Sequence, residues 1–250
     1  MTALTSVSFR SLGAETIIRL AKTAGLDGIE WGGDIHVPPG DRSLAANIKA
    51  KTLEAGLRVL SYGSYYKLLA GSDFTPVLET AAALAAPRIR VWAGALPSAR
   101  ADKAYYQSAA AELRSVCARA GEQGIRIGLE YHRATLTDTC ESAEKLISLT
   151  NHKNLSTYWQ PNPDLPPAEH HREITLLLPN ISAIHVFHWK AGNIRRPLAE
   201  GEALWREYVR LLGKDRDYIM EFVMDDAEEQ FLADAATLHR LLNPPRPHPR

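Results

Sequence analysis

Two glutamates and a histidine in the second half of the chain stand where they could hold a metal ion. Glu130 follows the β-type run IRIGL, His185 lies within ISAIHVF, and Glu221 follows YIM. A charged residue at a strand end commonly begins a solvated loop, but both glutamates fall inside the predicted strands, where a carboxylate needs a cation or a donor. Side chains of these types that converge on a barrel axis would suit a divalent ion such as Mn²⁺, Mg²⁺, Co²⁺ or Zn²⁺.

Further aromatic and polar residues stand at or just beyond the ends of other predicted strands. Aromatic side chains there would either form an apolar wall for the C–H face of a carbohydrate or simply cap the core. The candidates for this wall are Trp31, Tyr62, Trp92 and Trp159. The candidate polar contacts to a substrate are His36, His132, His188, Lys190 and Arg195.

Two features in these segments have two interpretations each. Arg195 and Arg196 lie in the segment KAGNIRRP, in a region where many barrels bind phosphate, but paired arginines are often only solvent-exposed. Asp34 could contact a substrate or a second ion, whereas a local Gly-Gly-Asp turn explains it equally well.

Eight repeats of a short β-type run and a longer helical pattern position these residues. The predicted strands are Thr5–Phe9, Gly28–Trp31, Arg58–Tyr62, Arg88–Trp92, Ile125–Glu130, Leu155–Trp159, Ile181–Phe187 and Tyr218–Val223. The predicted helices are Ala14–Ala24, Ser43–Ala55, Phe74–Ala86, Lys103–Glu122, Thr139–Leu149, Glu169–Leu178, Glu202–Leu212 and Ala227–Leu242. This alternation predicts parallel strands joined by right-handed crossovers.

The number of units favours one fold over its main competitor. Eight βα units in 250 residues match a single (β/α)₈ TIM barrel, whose active site lies at the C-terminal ends of the strands. A doubly wound sheet would usually carry a glycine-rich phosphate motif after the first strand, and SFRSLGAE is not one. The barrel is predicted over residues 1–242, and the proline-rich segment 243–250 is predicted to be a tail.

Composition narrows the class of protein. The 29 Lys+Arg balance 29 Asp+Glu and 45% of residues are hydrophobic, which excludes intrinsic disorder and argues against a nucleic-acid partner. The sequence has neither an apolar run long enough for a membrane helix nor a secretory signal pattern. Cys117 and Cys140 lack metal-site spacing and are too few for a disulfide framework, so we expect a cytoplasmic protein with reduced thiols. The sequence does not determine whether the protein is a monomer or a homo-oligomer.

The order of these residues resembles a known family. Glu130, Gln160, His185 and Glu221 fall on the fifth to eighth predicted strands or directly after them. With the segments GIEWGGDIHVP, GLEYHR and YWQP, the pattern resembles the xylose isomerase-like TIM-barrel superfamily of sugar and sugar-phosphate isomerases and epimerases, over about Thr5–Leu242. The resemblance implies that these four residues are the ligands of one divalent metal ion, and that the two glutamates are also the acid/base pair.

The chain departs from the family pattern at one proposed ligand. Gln160 stands where the family has aspartate, so an acceptor oxygen is kept but a negative charge is lost, and metal affinity should fall. The family's histidine three residues later is Pro163 here. The role of that histidine in polarising a substrate oxygen would pass to His188, Lys190 or His132, or be lost.

The chemistry that the resemblance implies is proton transfer next to a carbonyl. Isomerisation and epimerisation both need a proton removed from that carbon and an enediolate stabilised, and a divalent ion supplies the stabilisation. Glu130 and Glu221 would take the proton from one face of a carbohydrate and return it from the other.

Three alternatives remain beside the isomerase or epimerase. One is a lyase of the same superfamily that dehydrates an inosose or a dehydroshikimate-like substrate through the same enolate. Another is a three-zinc DNA-repair endonuclease, against which Gln160, Pro163 and the zero net charge count. The last is a non-catalytic sugar-binding or regulatory protein with a degraded site, which Gln160 keeps open.

Overall fold

Eight parallel strands close into a barrel in the computed structural model, which describes residues 1–244. The barrel strands are β1 (Thr2–Thr5), β2 (Gly28–Gly32), β3 (Arg58–Lys67), β4 (Arg88–Trp92), β5 (Arg126–Leu129), β6 (Leu155–Trp159), β7 (Ile181–Val186) and, after the hairpin strands β8 (His188–Lys190) and β9 (Ile194–Arg196), β10 (Asp217–Met220). The barrel closes where β1 pairs with β10, with Thr2 opposite Tyr218 and Leu4 opposite Met220. The predicted TIM barrel is confirmed.

Helices alternate with the barrel strands along the chain, as the repeat predicts. They are α1 (Ala14–Thr23), α2 (Arg42–Glu54), α3 (Thr75–Leu84), α4 (Lys103–Glu122), α5 (Cys140–Thr150), α6 (Pro167–Leu177), α7 (Glu202–Leu212) and α8 (Glu228–Leu242). Several begin with a side chain that accepts a backbone N–H, such as Asp41 for α2 and Asp102 for α4. Gly25 follows α1 at a φ of 67°, a conformation that costs glycine little.

The barrel interior holds an apolar layer and, nearer the C-terminal ends of the strands, a polar layer. The apolar layer consists of Ala3, Leu60, Tyr158, Ala183 and Ile219. Tyr158 fits because Gly128 lies beside it: a Cβ on that glycine would come within 2.4 Å of the Tyr158 ring. Gly63 makes room for Arg90 in the same way, since a Cβ there would lie 2.6 Å from the guanidinium.

The prediction of the first strand at Thr5–Phe9 is wrong, because the strand lies earlier in the chain and a turn occupies most of the predicted range. The strand is Thr2–Thr5, and Ser6–Phe9 form a short 3₁₀ turn. The serines of this turn bind backbone groups of neighbouring loops: Ser6 Oγ accepts from Gly32 N at 2.8 Å, and Ser8 Oγ accepts from Phe222 N at 3.0 Å. The polar residues at alternate positions of Thr5–Phe9 therefore belong to a turn whose serine hydroxyls accept backbone N–H groups, and not to a strand.

Two further differences lie at the C-terminal side of the barrel. The third strand continues beyond Tyr62 to Lys67, with a register shift between Gly63 and Tyr66 that gives Tyr65 a φ of 56°. The segment after the seventh barrel strand, predicted as a loop, contains the antiparallel hairpin β8–β9.

Three further expectations concern the C-terminal tail, membrane-spanning helices and the two cysteines. Residues 245–250 of the predicted tail lie outside the described residues, and α8 ends at Leu242. Within residues 1–244, no helix is long and apolar enough to cross a membrane. Cys117 and Cys140 are free and buried.

We expect Gly128→Ala to destabilise the protein by about 1–3 kcal/mol, because the added methyl overpacks the barrel interior against Tyr158. Gly13→Ala is the matched control: nothing lies within 4 Å of a Cβ there, and its φ of −73° suits alanine. Urea unfolding of both variants checks this. A Gly128→Ala protein as stable as the control would mean that the ring of Tyr158 is free to move aside.

Candidate active site

The candidate site lies at the C-terminal mouth of the barrel. Glu130 and Glu221 are the first residues after β5 and β10, and their backbone N–H groups continue the ladder by donating to Val91 O and Val186 O, each at 3.0 Å. His185 is the penultimate residue of β7. All three side chains are buried, so the strands fix their positions closely.

Glu130, His185 and Glu221 form a compact group in which one ligand atom from each residue lies within 4.8 Å of the others. His185 Nδ1 is 3.4 Å from Glu221 Oε2 and 3.8 Å from Glu130 Oε1. The same nitrogen is 2.7 Å from Gln160 Oε1, so Gln160 reaches the group as well. The four residues that the resemblance implies as metal ligands are therefore together.

Glu130 is held more firmly than Glu221. Its Oε2 accepts hydrogen bonds from Arg90 Nη1 and, at 2.6 Å, from Trp92 Nε1, while Oε1 faces His185. Arg90 is 2% exposed and also approaches Glu30 through Nε, at 3.1 Å from Oε1. A buried chain of alternating charge thus runs from Glu30 through Arg90 to Glu130.

The electrostatics of the group follow from burial and from this chain. Burial raises the pKa of Glu221, and the charges of Glu130 and Glu30 add to that, against the opposing effect of His185. Burial alone would lower the pKa of His185, but Glu221 and Glu30 raise it overall. Burial would also raise the pKa of Glu30, yet Arg90 and His185 hold it well below its usual range.

These charges fit a divalent ion. Among the described residues, the buried cluster contains three carboxylates, Glu30, Glu130 and Glu221, and one guanidinium, Arg90. With His185 neutral, two negative charges are left uncompensated, which is the charge that a dication brings. Oxygen donors with one imidazole suit Mn²⁺, Mg²⁺, Co²⁺ or Zn²⁺. The residues present therefore fit a metal held by Glu130, His185 and Glu221, with Gln160 as a further oxygen donor.

A cavity of about 240 Å³ opens above this cluster. Glu130, Gln160 and Glu221 face it, and its walls are mainly aromatic and cationic. The walls include Arg10, Tyr65, Arg90, Trp92, His132, Arg133, Asp138, Phe187, Trp189 and Phe222. Tyr65 and Phe222 have φ values of 56° and 51°, and such backbone in bulky residues costs about 1–3 kcal/mol each and clusters at functional sites.

Two of the predicted substrate contacts line this cavity. Trp92 and His132 stack on each other, with ring centroids 4.5 Å apart and planes 21° apart. His132 Nδ1 lies 2.6 Å from Arg133 O, so a proton on Nδ1 is donated to that carbonyl and Nε2 is left as an acceptor. These two side chains form one wall beside Glu130.

The structure does not bring Trp31, Tyr62 or His36 to the cavity, because side chains alternate along a strand. Glu30 points into the barrel, and a register shift beside it leaves both Leu60 and Ser61 on the inner side of β3, so Trp31 and Tyr62 point outward. Trp31 Nε1 donates to Thr52 of α2 at 3.2 Å, and Tyr62 donates to Val37 O at 2.8 Å. His36 is buried beside the β2–α2 connection, with Nε2 at 3.0 Å from Leu12 O. Trp159, the other aromatic candidate, is buried and donates to Glu173 at 3.2 Å.

The candidates near β8 and β9 also lie outside the cavity lining. His188 lines a neighbouring apolar pocket with Trp205 and Tyr208. Lys190 is exposed and lies 3.6 Å from Glu200. Arg195 pairs with Asp226 at 2.5 Å and packs over the Phe222 ring. Arg196 likewise pairs with Glu200, so in both arginines the charge is already matched by a carboxylate.

Sequence reasoning missed Glu30 and Arg90, although a signal was present. Arg90 alternates with Ile89 and Val91 in RIRVW, and Glu30 lies between Ile29 and Trp31 in GIEWG. A charged residue at alternate positions of a strand buried on both faces must find a buried partner of opposite charge. These two residues are each other's partner across the barrel.

Comparison with known proteins agrees with this architecture. A family model described as xylose isomerase-like TIM barrel matches residues 18–240 of the chain. A curated relative, 3-dehydroshikimate dehydratase of Bacillus anthracis, is 28% identical over 169 residues, which make up 61% of this chain and 59% of that protein. The match therefore spans less than two thirds of the relative's length.

Two solved structures illustrate the shared fold. A probable 3-DHS dehydratase of Bacillus anthracis, involved in petrobactin synthesis, superposes with a TM-score of 0.78 at 20% identity, over 95% of this chain and 98% of that chain. A D-psicose 3-epimerase of Clostridium cellulolyticum, solved with D-tagatose, gives 0.72 at 14% identity, over 96% and 99%. Lyases and epimerases thus share this barrel.

We expect Gln160→Asp to tighten Mn²⁺ binding if the Gln160 side chain faces the ion, because a neutral dipole becomes a full charge beside a dication. Calorimetric titration of Mn²⁺ into both proteins measures this. Gln123→Glu, at an exposed position between α4 and β5 on the opposite end of the barrel, is a control that adds one negative charge and should leave the affinity unchanged. Equal affinities for wild type and Gln160→Asp would remove Gln160 from the ligand set.

Proposed function

Because the chain belongs to the xylose isomerase-like TIM-barrel family, we propose that it is a metal-dependent enzyme that moves a proton at a carbon next to a carbonyl of a small, polyhydroxylated substrate. The observation that carries this proposal is the convergence of Glu130, His185 and Glu221 beneath one cavity, with two uncompensated negative charges. We propose isomerisation or epimerisation of a sugar or sugar derivative as the reaction.

A bound divalent ion would polarise substrate oxygens and stabilise the negative charge that develops when the proton leaves. Glu130, Gln160, His185 and Glu221 would hold this ion. The chain itself must supply the group that takes the proton and the groups that orient the substrate.

Glu221 is the better candidate for proton transfer, and Glu130 is the better anchor. Both donors on Glu130 Oε2, Arg90 and Trp92, fix that carboxylate in place. The charged neighbour of Glu221 is His185 at 3.4 Å, and burial together with Glu130 raises the pKa of Glu221. Two carboxyl groups whose surroundings differ in this way suit different roles, one as a fixed anchor and one as a proton carrier.

His132 is the second candidate for moving a proton. Its Nδ1 is engaged by Arg133 O, its ring is held against Trp92, and it lines the cavity. An imidazole whose tautomer is fixed in this way presents Nε2 as a base, or as an acid once protonated. We propose that Glu221 and His132 serve the two proton-transfer steps, one removing and one returning the proton.

The walls of the cavity favour a substrate with both apolar and polar faces. Trp92, Trp189 and Phe222 offer ring faces to the C–H groups of a carbohydrate. Arg10 and Arg133 line the same walls, each paired with a carboxylate, Asp34 at 2.7 Å and Asp164 at 3.4 Å, and Asp138 lines the cavity as well. Rings beside polar groups of both signs suit a polyhydroxylated substrate.

Dehydration is a second candidate reaction, and the 28% identical 3-dehydroshikimate dehydratase favours it. The substrate in that relative's name is a polyhydroxylated ring with a carbonyl, which is the class of substrate proposed here. Dehydration begins with the same proton removal, but the enolate then expels a hydroxyl group instead of being reprotonated.

One experiment tests the shared chemistry and separates the two reactions. The Mn²⁺-loaded protein is incubated in D₂O with a panel of ketoses, sugar acids and 3-dehydroshikimate. Isomerisation or epimerisation places solvent deuterium in a product of unchanged formula, whereas dehydration gives a product lighter by one water. Absence of both deuterium incorporation and product across the panel, with metal bound, would favour the non-catalytic sugar-binding alternative.

We expect Glu221→Gln to lower turnover by about 10²–10⁴-fold on a substrate found in this way, because a positioned acid/base group is removed. Exposed Glu54→Gln on α2 is the matched control and should keep wild-type turnover. Activity and Mn²⁺ content are measured together, so that loss of the metal is recognised. A metal-loaded Glu221→Gln protein with full activity would remove Glu221 from the reaction.

A further inference from the structure

Glu30 is a fully buried carboxylate that the proposed reaction does not use. It lies on β2 and accepts hydrogen bonds from Thr5 on β1 at 3.1 Å, from Ser61 on β3 at 2.7 Å and from Tyr158 on β6 at 2.9 Å. Arg90 on β4 adds its charge at 3.1 Å. Because its surrounding partners are donors and a cation, Glu30 is kept ionised and can only accept hydrogen bonds.

His185 lies between Glu30 and the candidate metal site, with one ring nitrogen on each side. Nδ1 is on the metal side, where without an ion it donates to Gln160 Oε1 at 2.7 Å and lies 3.4 Å from Glu221 Oε2. Nε2 is on the opposite side, 3.4 Å from Glu30 Oε1, and has no well-aligned hydrogen bond within residues 1–244. A neutral imidazole carries one proton, so the nitrogen that holds the proton cannot bind a metal.

We propose that Glu30 is a positioning residue that keeps a proton of His185 on Nε2 when a divalent ion takes the place of the Nδ1 hydrogen bond to Gln160, and so presents Nδ1 to the metal. The inference rests on the metal centre of the proposed function. An anion on the far side of the ring stabilises the tautomer with Nε2–H, orients the ring and makes Nδ1 a stronger donor to a cation. Glu30 does not line the cavity and acts only through His185.

Replacing the Glu30 carboxylate by an amide would disturb its hydrogen bonds as well as remove its charge. An amide at this position would keep one acceptor oxygen but would turn an NH₂ group toward some of the donors that now surround the carboxylate. Tyr158 and Ser61 both bind Oε2, whereas Arg90 and His185 approach Oε1. Glu30→Gln would therefore weaken either the side facing the hydroxyls or the side facing His185.

The test uses the whole protein loaded with Zn²⁺, which is silent in NMR experiments, and needs no substrate. Long-range ¹H–¹⁵N correlation of histidine-labelled wild type shows which nitrogen of His185 carries the proton and which binds Zn²⁺. We expect the proton on Nε2 and the metal on Nδ1. Calorimetry of Zn²⁺ and Mn²⁺ binding to Glu30→Gln should give affinities about 10–100-fold weaker than wild type, the usual effect of removing such a partner of a metal-binding histidine.

Thr52→Val is the matched control for a lost buried hydrogen bond. Thr52 is fully buried and accepts from Trp31 Nε1 on the outer side of the barrel, away from the metal site. We expect this variant to lose stability in urea unfolding and to keep wild-type metal affinity. A loss of metal affinity in Thr52→Val as large as in Glu30→Gln would assign the effect to general loosening and overturn the role of Glu30.

The remaining outcomes separate this inference from the proposed function. If wild type binds Zn²⁺ through Nε2 of His185, the inference fails while the metal centre stands. Unchanged affinity in a folded Glu30→Gln protein has the same meaning. If Glu30→Gln does not fold, the NMR assignment of the protonated nitrogen of His185 in the wild type still tests the inference. If wild type binds neither Zn²⁺ nor Mn²⁺, both the inference and the proposed metal centre are overturned.

Discussion

The buried guanidinium of Arg90 is the constraint around which the mouth of the barrel is built. A cation with 2% of its surface exposed survives only with anionic partners, and Arg90 has Glu30 on one side and Glu130 on the other. Three strands, β2, β4 and β5, must therefore keep their register for the ion chain to form, and Gly63 must remain small to leave room for it. Removing either carboxylate would leave the buried guanidinium of Arg90 with weaker compensation. A buried charge that has lost its partner strongly destabilises the fold. The chain of charges thus ties the position of Glu130, a candidate metal ligand, to the register of β2 and β4.

The sequence was sufficient for the fold and for the centre of the site, because both depend on local pattern. Alternating β-type and helical runs predict the barrel, and carboxylates embedded in predicted strands predict that Glu130 and Glu221 meet His185. The assignment of Trp31 and Tyr62 to the mouth used their position at a strand end and ignored the two-residue period, which places Glu30 and Ser61 inward instead. The bulge that gives Tyr65 its positive φ depends on pairing with β4, which is distant in sequence, so no local pattern could have indicated it. The hairpin β8–β9 is local, and the Gly192-Asn193 pair at its turn was a signal for it that the sequence reasoning did not use.

The three carboxylates of the cluster differ in what surrounds them, and this difference gives each a separate part. Glu30 is surrounded by hydroxyl donors and Arg90, deep in the barrel and away from the cavity. Glu130 has one oxygen bound by Arg90 and Trp92 and the other directed at His185. Glu221 faces the cavity beside a histidine rather than an arginine, and burial raises its pKa. A gradient from fully compensated to poorly compensated charge therefore runs from the barrel interior to the cavity. Of the two carboxylates that face the cavity, Glu130 and Glu221, the less compensated is Glu221, the proposed proton carrier.

Gln160 changes the net charge of the candidate metal site as well as its affinity for a metal ion. With glutamine at this position, a dication would bring the buried cluster of Glu30, Arg90, Glu130 and Glu221 to neutrality, whereas an aspartate would leave it one charge negative. A less negative shell binds the metal less tightly, but it also cancels less of the positive charge that must stabilise an enediolate. Glutamine at this position would therefore lower metal affinity and at the same time strengthen the stabilisation of an enediolate, so the departure from the family pattern does not by itself indicate a degraded centre.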